Sequence, residues 1–193
     1  MARYPAAQWI PASPENFRRA RREEPRELVI HTVEGNNVEA LHTWLTSPDE
    51  PNISVHFAVD KAGNVYQYVD TDDEAWHARD HNRFSIGIEH VGYAAEPSTW
   101  TPQMVSSSAR LAAWVNEVHP DVALDDEHIV AHGSFQEDRT DPGPHFPWVD
   151  YIARARAYRS GGLVSSIFGG GATSVVVVVV VALALAQLWT RNG

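Results

Sequence analysis

The segment Arg26-Glu27-Leu28-Val29-Ile30-His31 decides the fold of this chain. Its apolar run, Leu28 to Ile30, follows a charged pair and leads directly into a histidine. A run of this length predicts a short buried strand that ends in His31. The run Ile129 to His132 repeats the pattern. Two strands therefore each end in a histidine, and loops at strand ends are where side chains from distant parts of a sequence converge on one site.

Helices and strands alternate along the rest of the domain. The stretch Ser85-Ile86-Gly87-Ile88-Glu89 predicts a strand with both isoleucines on one face and Glu89 on the other. The other predicted elements are helices over Asn37–Leu45, Thr101–His119 and Trp148–Tyr158, and a hairpin of Ser54–Val59 and Val65–Val69. We therefore expect an α/β fold with a mixed central β-sheet flanked by helices.

Composition narrows the partners and the chemistry. The chain has 193 residues, enough for one core and an appendage. Its formal net charge of -10 repels polyanions, so we expect no nucleic acid partner. Cysteine is absent, which excludes disulfides, a thiolate nucleophile and thiolate metal ligands. Any metal ion must therefore be held by histidines and carboxylates.

Both ends of the chain differ from its centre. Residues 1–25 mix four prolines with an arginine-rich run, which suggests an extended arm laid over the domain; we favour the alternative, a solvated surface segment. Met1 to Ile10 lacks the apolar stretch of a cleavable signal peptide. Residues 26–160 form the predicted catalytic domain, and residues 161–193 a glycine-rich linker with a hydrophobic tail. The uncharged segment from Leu163 to Trp189 is longer than the ~20 residues that a membrane helix needs, so we expect a C-terminal transmembrane helix. A buried strand is the alternative.

Three residues suggest a metal site. Asp141 follows His132 by nine residues, in a proline-rich loop that could return its carboxylate to that histidine. Two imidazoles, His31 and His132, with one carboxylate leave a fourth position for water, as in catalytic zinc sites. On spacing alone, two histidines with structural roles and a turn-capping aspartate remain an alternative.

A joint pattern of motifs across residues 26–158 resembles the type-2 N-acetylmuramoyl-L-alanine amidase family. That family includes phage endolysins, bacterial wall-recycling amidases and peptidoglycan recognition proteins. The motifs are Val29-Ile30-His31-Thr32, Ser54-Val55-His56-Phe57, Ala75-Trp76-His77-Ala78, Ser85-Ile86-Gly87-Ile88-Glu89, Ala131-His132 and Arg139-Thr140-Asp141-Pro142-Gly143-Pro144. The resemblance implies an amidase-like fold and, as substrate, peptidoglycan.

The resemblance also implies a role for each candidate residue. The implied zinc ligands are His31, His132 and Asp141. Glu89 would be the acid/base group, taking a proton from water and returning it to the departing amine. Arg139 stands where the family often has a lysine, and would stabilise the developing oxyanion; a surface salt bridge is its alternative role.

Other positions are less certain matches to the family. Trp76 and His77 are expected to line the substrate groove, although core packing is an alternative. Val55 stands where some members have a tyrosine, so no phenol can act there. His145 is a rival metal ligand, ranked below His132 because the family places its second imidazole earlier.

These observations predict a zinc-dependent enzyme that cleaves the amide between N-acetylmuramic acid and L-alanine, acting on the bacterial cell wall as a monomeric phage lysin. The alternatives are a non-catalytic peptidoglycan-binding module and a zinc peptidase that cuts stem peptides. Arginines precede the tail, and Arg191 follows it. Because positive flanks stay cytoplasmic, the enzyme is expected at the inner side of a host membrane or in a virion membrane.

Overall fold

Eight strands and three α-helices form the part of the chain that the structure, a computed structural model, describes: residues 2–49 and 52–161. The strands are β1 (Gln8–Trp9), β2 (Phe17–Arg18), β3 (Glu27–Thr32), β4 (Phe57–Val59), β5 (Val65–Gln67), β6 (Glu74–Ala75), β7 (Ser85–His90) and β8 (Ile129–Ala131). The helices are α1 (Val38–Thr46), α2 (Pro102–Val118) and α3 (Trp148–Arg159), and 3-10 turns span Arg79–Phe84, Pro97–Thr99 and His132–Ser134.

The central sheet has six strands in the order β1-β5-β4-β7-β3-β8. Strand β3 lies parallel to both β7 and β8, and β4 lies parallel to β7. Only the β4–β5 hairpin is antiparallel within this sheet. The predicted mixed sheet with flanking helices is therefore confirmed, and β3 lies directly between the two strands that bear Glu89 and lead into His132.

The two faces of the sheet pack against different helices. Alternate residues of β3, β4 and β7, including Leu28, Phe57 and Ile86, join one core with helices α2 and α3. The opposite face packs against α1, whose Leu41 and Leu45 are buried beside Ala58. Since side chains alternate along a strand, His31 and Glu89 lie on the α1 face of the sheet.

Local signals in the sequence position the helices. The Asn37 side chain accepts a hydrogen bond from the Ala40 N–H at the start of α1. Thr101 caps α2 in the same way through the Met104 N–H, and Pro102 is the first helical residue. Both caps satisfy N–H groups that have no partner inside the helix, and the predicted start of α2 is confirmed.

The interpretation of residues 1–25 as a solvated arm was wrong for the part described. Strand β1 adds a parallel edge to the central sheet beside β5, and β2 pairs with β6 in a second, two-stranded sheet. Asn16 is fully buried. Each of these strands has only two residues, too few to show a period of two, and frequent prolines hide the remaining signal.

The tail predicted to form a membrane helix, Leu163 to Trp189, lies outside the described residues. Within residues 2–49 and 52–161, no helix combines the length and apolar character required to span a bilayer.

Candidate functional site

Three side chains from separate parts of the chain converge at one end of the sheet. The Nδ1 atoms of His31 and His132 are 3.0 Å apart, and each lies 3.2 Å from Oδ2 of Asp141. All three residues are buried. The structure thus brings together the three residues predicted to hold zinc.

The backbone accounts for this convergence. His31 lies in β3, and His132 follows the end of the neighbouring strand β8, so parallel pairing places both histidines at the same edge. The Asp141 loop then turns back: the Gly133 N–H donates to the Asp141 carbonyl at 2.9 Å. A Cβ on Gly133 would lie 2.8 Å from the Arg139 carbonyl, so only glycine allows this close approach.

The donor set fits a zinc ion. Two imidazole nitrogens and one carboxylate oxygen are the ligands of many catalytic zinc sites, and zinc–ligand distances of about 2.0–2.1 Å separate tetrahedral ligands by roughly 3.3 Å. The observed spacings of 3.0–3.2 Å are close to that value. Among the described residues, no other group of three potential ligands comes together in this way.

The protonation of these groups also suits a metal ion. Burial lowers the pKa of His31, which favours the neutral imidazole that metals require. Burial opposes ionisation of Asp141, but hydrogen bonds with His132 and His31 outweigh it and hold the pKa of Asp141 well below its usual range. A neutral histidine and an ionised carboxylate are thus the favoured forms of these two groups.

Contacts behind the ligands orient both imidazole rings. His132 Nε2 lies 3.0 Å from Oε1 of Gln136, and His31 Nε2 lies 2.9 Å from Nδ1 of His77. His77 Nε2 lies in turn 3.3 Å from the Ser85 hydroxyl. The tautomers that satisfy these contacts carry protons on the Nε2 atoms of His31 and His132. Both Nδ1 lone pairs are then free to face the metal position.

Glu89 shares this edge of the sheet. It is the register partner of His31 on the adjacent parallel strand, so both side chains project from the same face. Oε2 of Glu89 is buried without a hydrogen-bond partner among the described residues. Burial, together with the nearby Asp141 charge, raises the pKa of Glu89 to about 8. A carboxyl group in this state can both accept and donate a proton near neutral pH.

The ligands and Glu89 line a cleft of ≈ 360 Å³. Trp76, His77 and Arg139 line the same cleft, so the structure places every predicted site residue around one cavity. His77 lines the cleft and also contacts His31, as described above. The exposed Arg139 forms no salt bridge within the described chain, so the surface ion pair considered from the sequence is absent there.

The structure also shows where two further positions considered from the sequence lie. His145 is exposed and does not belong to the ligand group, so it does not compete with His132. Val55 is buried and lines the cleft next to Leu41 and Leu45. Val55 therefore contributes an apolar surface to the cleft.

Sequence reasoning did not identify three residues of the site: Gln136, Ser85 and Trp44. Gln136 and Ser85 contact the imidazoles of His132 and His77, but polar residues in loops and at strand starts are too common to single out. Trp44 fits the apolar stripe of α1, yet it is 41% exposed and lines the cleft. The only sequence signal for Trp44 is its helical spacing from Leu41, and that spacing predicts a core residue.

Comparisons with known proteins point to one enzyme family. The family described as N-acetylmuramoyl-L-alanine amidase matches residues 21–144. The chain is 34% identical over 161 residues to N-acetylmuramoyl-L-alanine amidase A of Achromobacter lyticus, which covers 74% of this chain and 89% of that protein. It is 29% identical over 154 residues to the 1,6-anhydro-N-acetylmuramyl-L-alanine amidase AmpD of Escherichia coli (strain K12). That match covers 67% of this chain and 81% of the relative.

Solved structures show the same similarity. The fold is similar to the crystal structure of a selenomethionine derivative of AmpD, with a TM-score of 0.65 and 28% identity. That similarity covers 81% of this chain and 96% of the other.

Proposed function

Since the chain belongs to the N-acetylmuramoyl-L-alanine amidase family, we propose that it uses zinc to hydrolyse the amide bond between N-acetylmuramic acid and L-alanine. One observation carries the proposal: the His31, His132 and Asp141 ligand atoms lie 3.0–3.2 Å apart in a cleft that also holds Glu89. The names of the two relatives describe amidases of this bond, and the family match over residues 21–144 includes His31, Glu89, His132, Arg139 and Asp141.

The zinc ligands in this proposal are His31, His132 and Asp141. Zinc, when bound, supplies Lewis-acid chemistry that polarises the amide carbonyl and makes water more acidic. Gln136 and His77 hold the ligand imidazoles in the tautomer that presents Nδ1. The protein therefore fixes the donor atoms before the substrate enters.

Glu89 carries the proton. Its Oε2 atom has no partner in the described chain and is free to accept a proton from the attacking water. Its raised pKa then lets it return that proton to the leaving amine of L-alanine. Arg139 lines the cleft and has no ion-pair partner among the described residues, and it stabilises the negative charge that develops on the carbonyl oxygen.

The biological setting is a separate part of the proposal. We propose a monomeric phage lysin that acts on the bacterial wall and associates with a host or virion membrane through residues 163–189. This part rests on the sequence, because the segment lacks charged residues over a length sufficient to span a bilayer.

Metal dependence and product analysis test the chemistry. Purified walls and soluble 1,6-anhydro-muropeptides are incubated with protein that was stripped by a chelator and with protein to which zinc was restored. We expect no cleavage without metal and full recovery with zinc. Mass spectrometry should find free L-alanine amino ends and muramic acid with an intact lactyl carboxylate.

Other outcomes would reject the proposal. Full activity in a verified metal-free preparation rules out zinc chemistry. New chain ends inside the stem peptide identify a peptidase. Tight binding to walls without any new chain end identifies a binding module.

A further inference from the structure

The two walls of the cleft differ in chemistry. One wall consists of α1 and residues 52–55, and we call it the apolar wall. Leu41, Leu45 and Val55 belong to one buried cluster, which connects these two segments. A second wall, the arginine wall, consists of the 79–84 turn and the 135–139 loop, joined by an ion pair of 2.8 Å between Arg79 and Asp138. Both walls line the same cavity.

Trp44 is the exposed aromatic residue of the apolar wall. It is 41% exposed, whereas Leu41 and Leu45 on the same helix are 3% and 2% exposed. In the described chain the only other large exposed apolar side chain is Val149, which lies on α3. The two leucines fill the core beneath α1, so the indole is left to face the cleft. A large apolar group exposed inside a cleft indicates a contact with a ligand.

Charge decides which part of the substrate each wall can take. Arg139 and Arg79, the latter paired with Asp138, line the arginine wall. The residues of the apolar wall that line the cavity carry no charge: Leu41, Trp44, Leu45, Asn52, Ile53, Ser54 and Val55. The stem peptide of peptidoglycan carries carboxylates and is attracted to cations. The glycan side is a pyranose ring, whose faces present C–H groups that pack well on an aromatic ring.

We propose that Trp44 stacks against the sugar ring of the muramoyl substrate and so holds the glycan on the apolar wall. The inference rests on the proposed function and adds the orientation of the substrate: glycan over α1, stem peptide towards Arg79 and Arg139. Trp44 is then a binding residue for the sugar, at a position remote from the peptide.

Two substrates with the same scissile amide separate this role from a general structural one. The first carries the disaccharide GlcNAc-MurNAc on the stem peptide, and the second replaces the sugar by a D-lactoyl group alone. For Trp44→Ala we expect kcat/KM to fall about tenfold on the first substrate through a higher KM, and to stay unchanged on the second. Trp44→Phe should recover most of the loss. Val149→Ala, an exposed apolar change outside the cleft, should match the parent on both.

A binding measurement keeps the test independent of catalysis. Calorimetric titration of the intact protein with the peptide-free disaccharide should show binding that Trp44→Ala weakens and Val149→Ala does not. Equal losses on the two substrates, or disaccharide binding that is undetectable or unaffected by Trp44→Ala, would overturn the proposal. If the parent binds the disaccharide through Trp44 but releases no L-alanine ends, the sugar site stands and the proposed hydrolysis fails.

Discussion

At the residue scale, Glu89 has two properties that bear on its role. It lies in register with His31 on an adjacent strand, yet one of its carboxyl oxygens is buried and has no hydrogen-bond partner in the described chain. Burial disfavours the charged form and raises its pKa to about 8. For a carboxyl group this direction means that folding stability is greatest below the unfolded pKa and declines as the pH rises towards 8. The structure therefore retains a carboxyl group that opposes folding at neutral pH, as expected of a group kept for chemistry.

Replacing this carboxyl tests its role. Glu89→Gln should lower turnover of the muramoyl amide by on the order of 10²-fold or more, because a general base is lost. Zinc content should be retained, and thermal stability at neutral pH should be equal or higher, since glutamine resembles the protonated acid that burial favours and does not titrate. Metal analysis, calorimetry and kinetics measure these effects. Glu137→Gln, an exposed carboxyl on the neighbouring loop, is the control and should behave like the parent. Parental activity in Glu89→Gln would make Glu89 a structural residue.

The candidate ligand residues occur in short patterns that suggest a site, and the resemblance to the amidase family implied that they are ligands. His31 and His132 close apolar runs, and Asp141 lies in a stiff proline-rich loop. The residues that orient them could not be predicted. Gln136 reaches His132 only because the chain turns after β8, and the exposure of Trp44 depends on which neighbours fill the core. Such contacts are set by tertiary packing, which a single sequence does not encode in any local period.

At the element scale, β7 serves the core and the site at once. Ile86 and Ile88 join the core under α2 and α3, and Ser85, Gly87 and Glu89 face the cleft side. His90 then contributes to the first face again. Its Nδ1 atom lies 2.9 Å from the His31 carbonyl oxygen, and its Nε2 atom lies 2.8 Å from the Ser108 hydroxyl on α2. These contacts connect the strand that bears His31 to helix α2.

Gly87 is required by the packing of this strand against His77. A Cβ at Gly87 would lie 2.7–2.8 Å from three atoms of the His77 ring. Gly87→Ala should therefore displace that ring and remove the contact that orients His31. We expect zinc affinity to fall about 10–100-fold, the usual effect of losing a group that orients a ligand. Titration with a competing chelator measures this.

A matched glycine provides the control for this experiment. A Cβ at Gly35 would meet nothing closer than 3.9 Å, so Gly35→Ala should bind zinc as the parent does. Equal zinc affinity in the two alanine variants would show that His77 does not orient His31.

The elements differed in how well the sequence predicted them. Helices α1 and α2 carry side-chain caps and several turns of apolar period, and both were predicted. Strands β1 and β2 were missed because each has two residues and depends on partners far along the chain for its pairing. Their stability comes from the sheet they join, so their own sequence carries little signal.

At the scale of the whole molecule, the described domain has helices on both faces of its six-stranded sheet. Its cores draw on residues from Tyr4 to Tyr158 among those described. Helix α3 ends at Arg159, and the Ser160 N–H donates to the Arg156 carbonyl, which closes the last turn. A domain with these contacts should fold without residues 161–193.

The tail should then determine where the enzyme is found and leave its chemistry unchanged. A chain truncated after Ser160 should remain in the supernatant and cleave isolated walls at the parental rate. The full chain should sediment with membranes and resist extraction by high salt or carbonate, because transfer of residues 163–189 to lipid is favourable. The matched control is a full-length chain with Val178→Lys and Leu183→Lys, two charges that each cost about 2.5–3.5 kcal/mol at the centre of a bilayer. It should be released into the supernatant like the truncated chain. Recovery of the unaltered full chain as a soluble monomer without detergent would show that this segment does not associate with membranes.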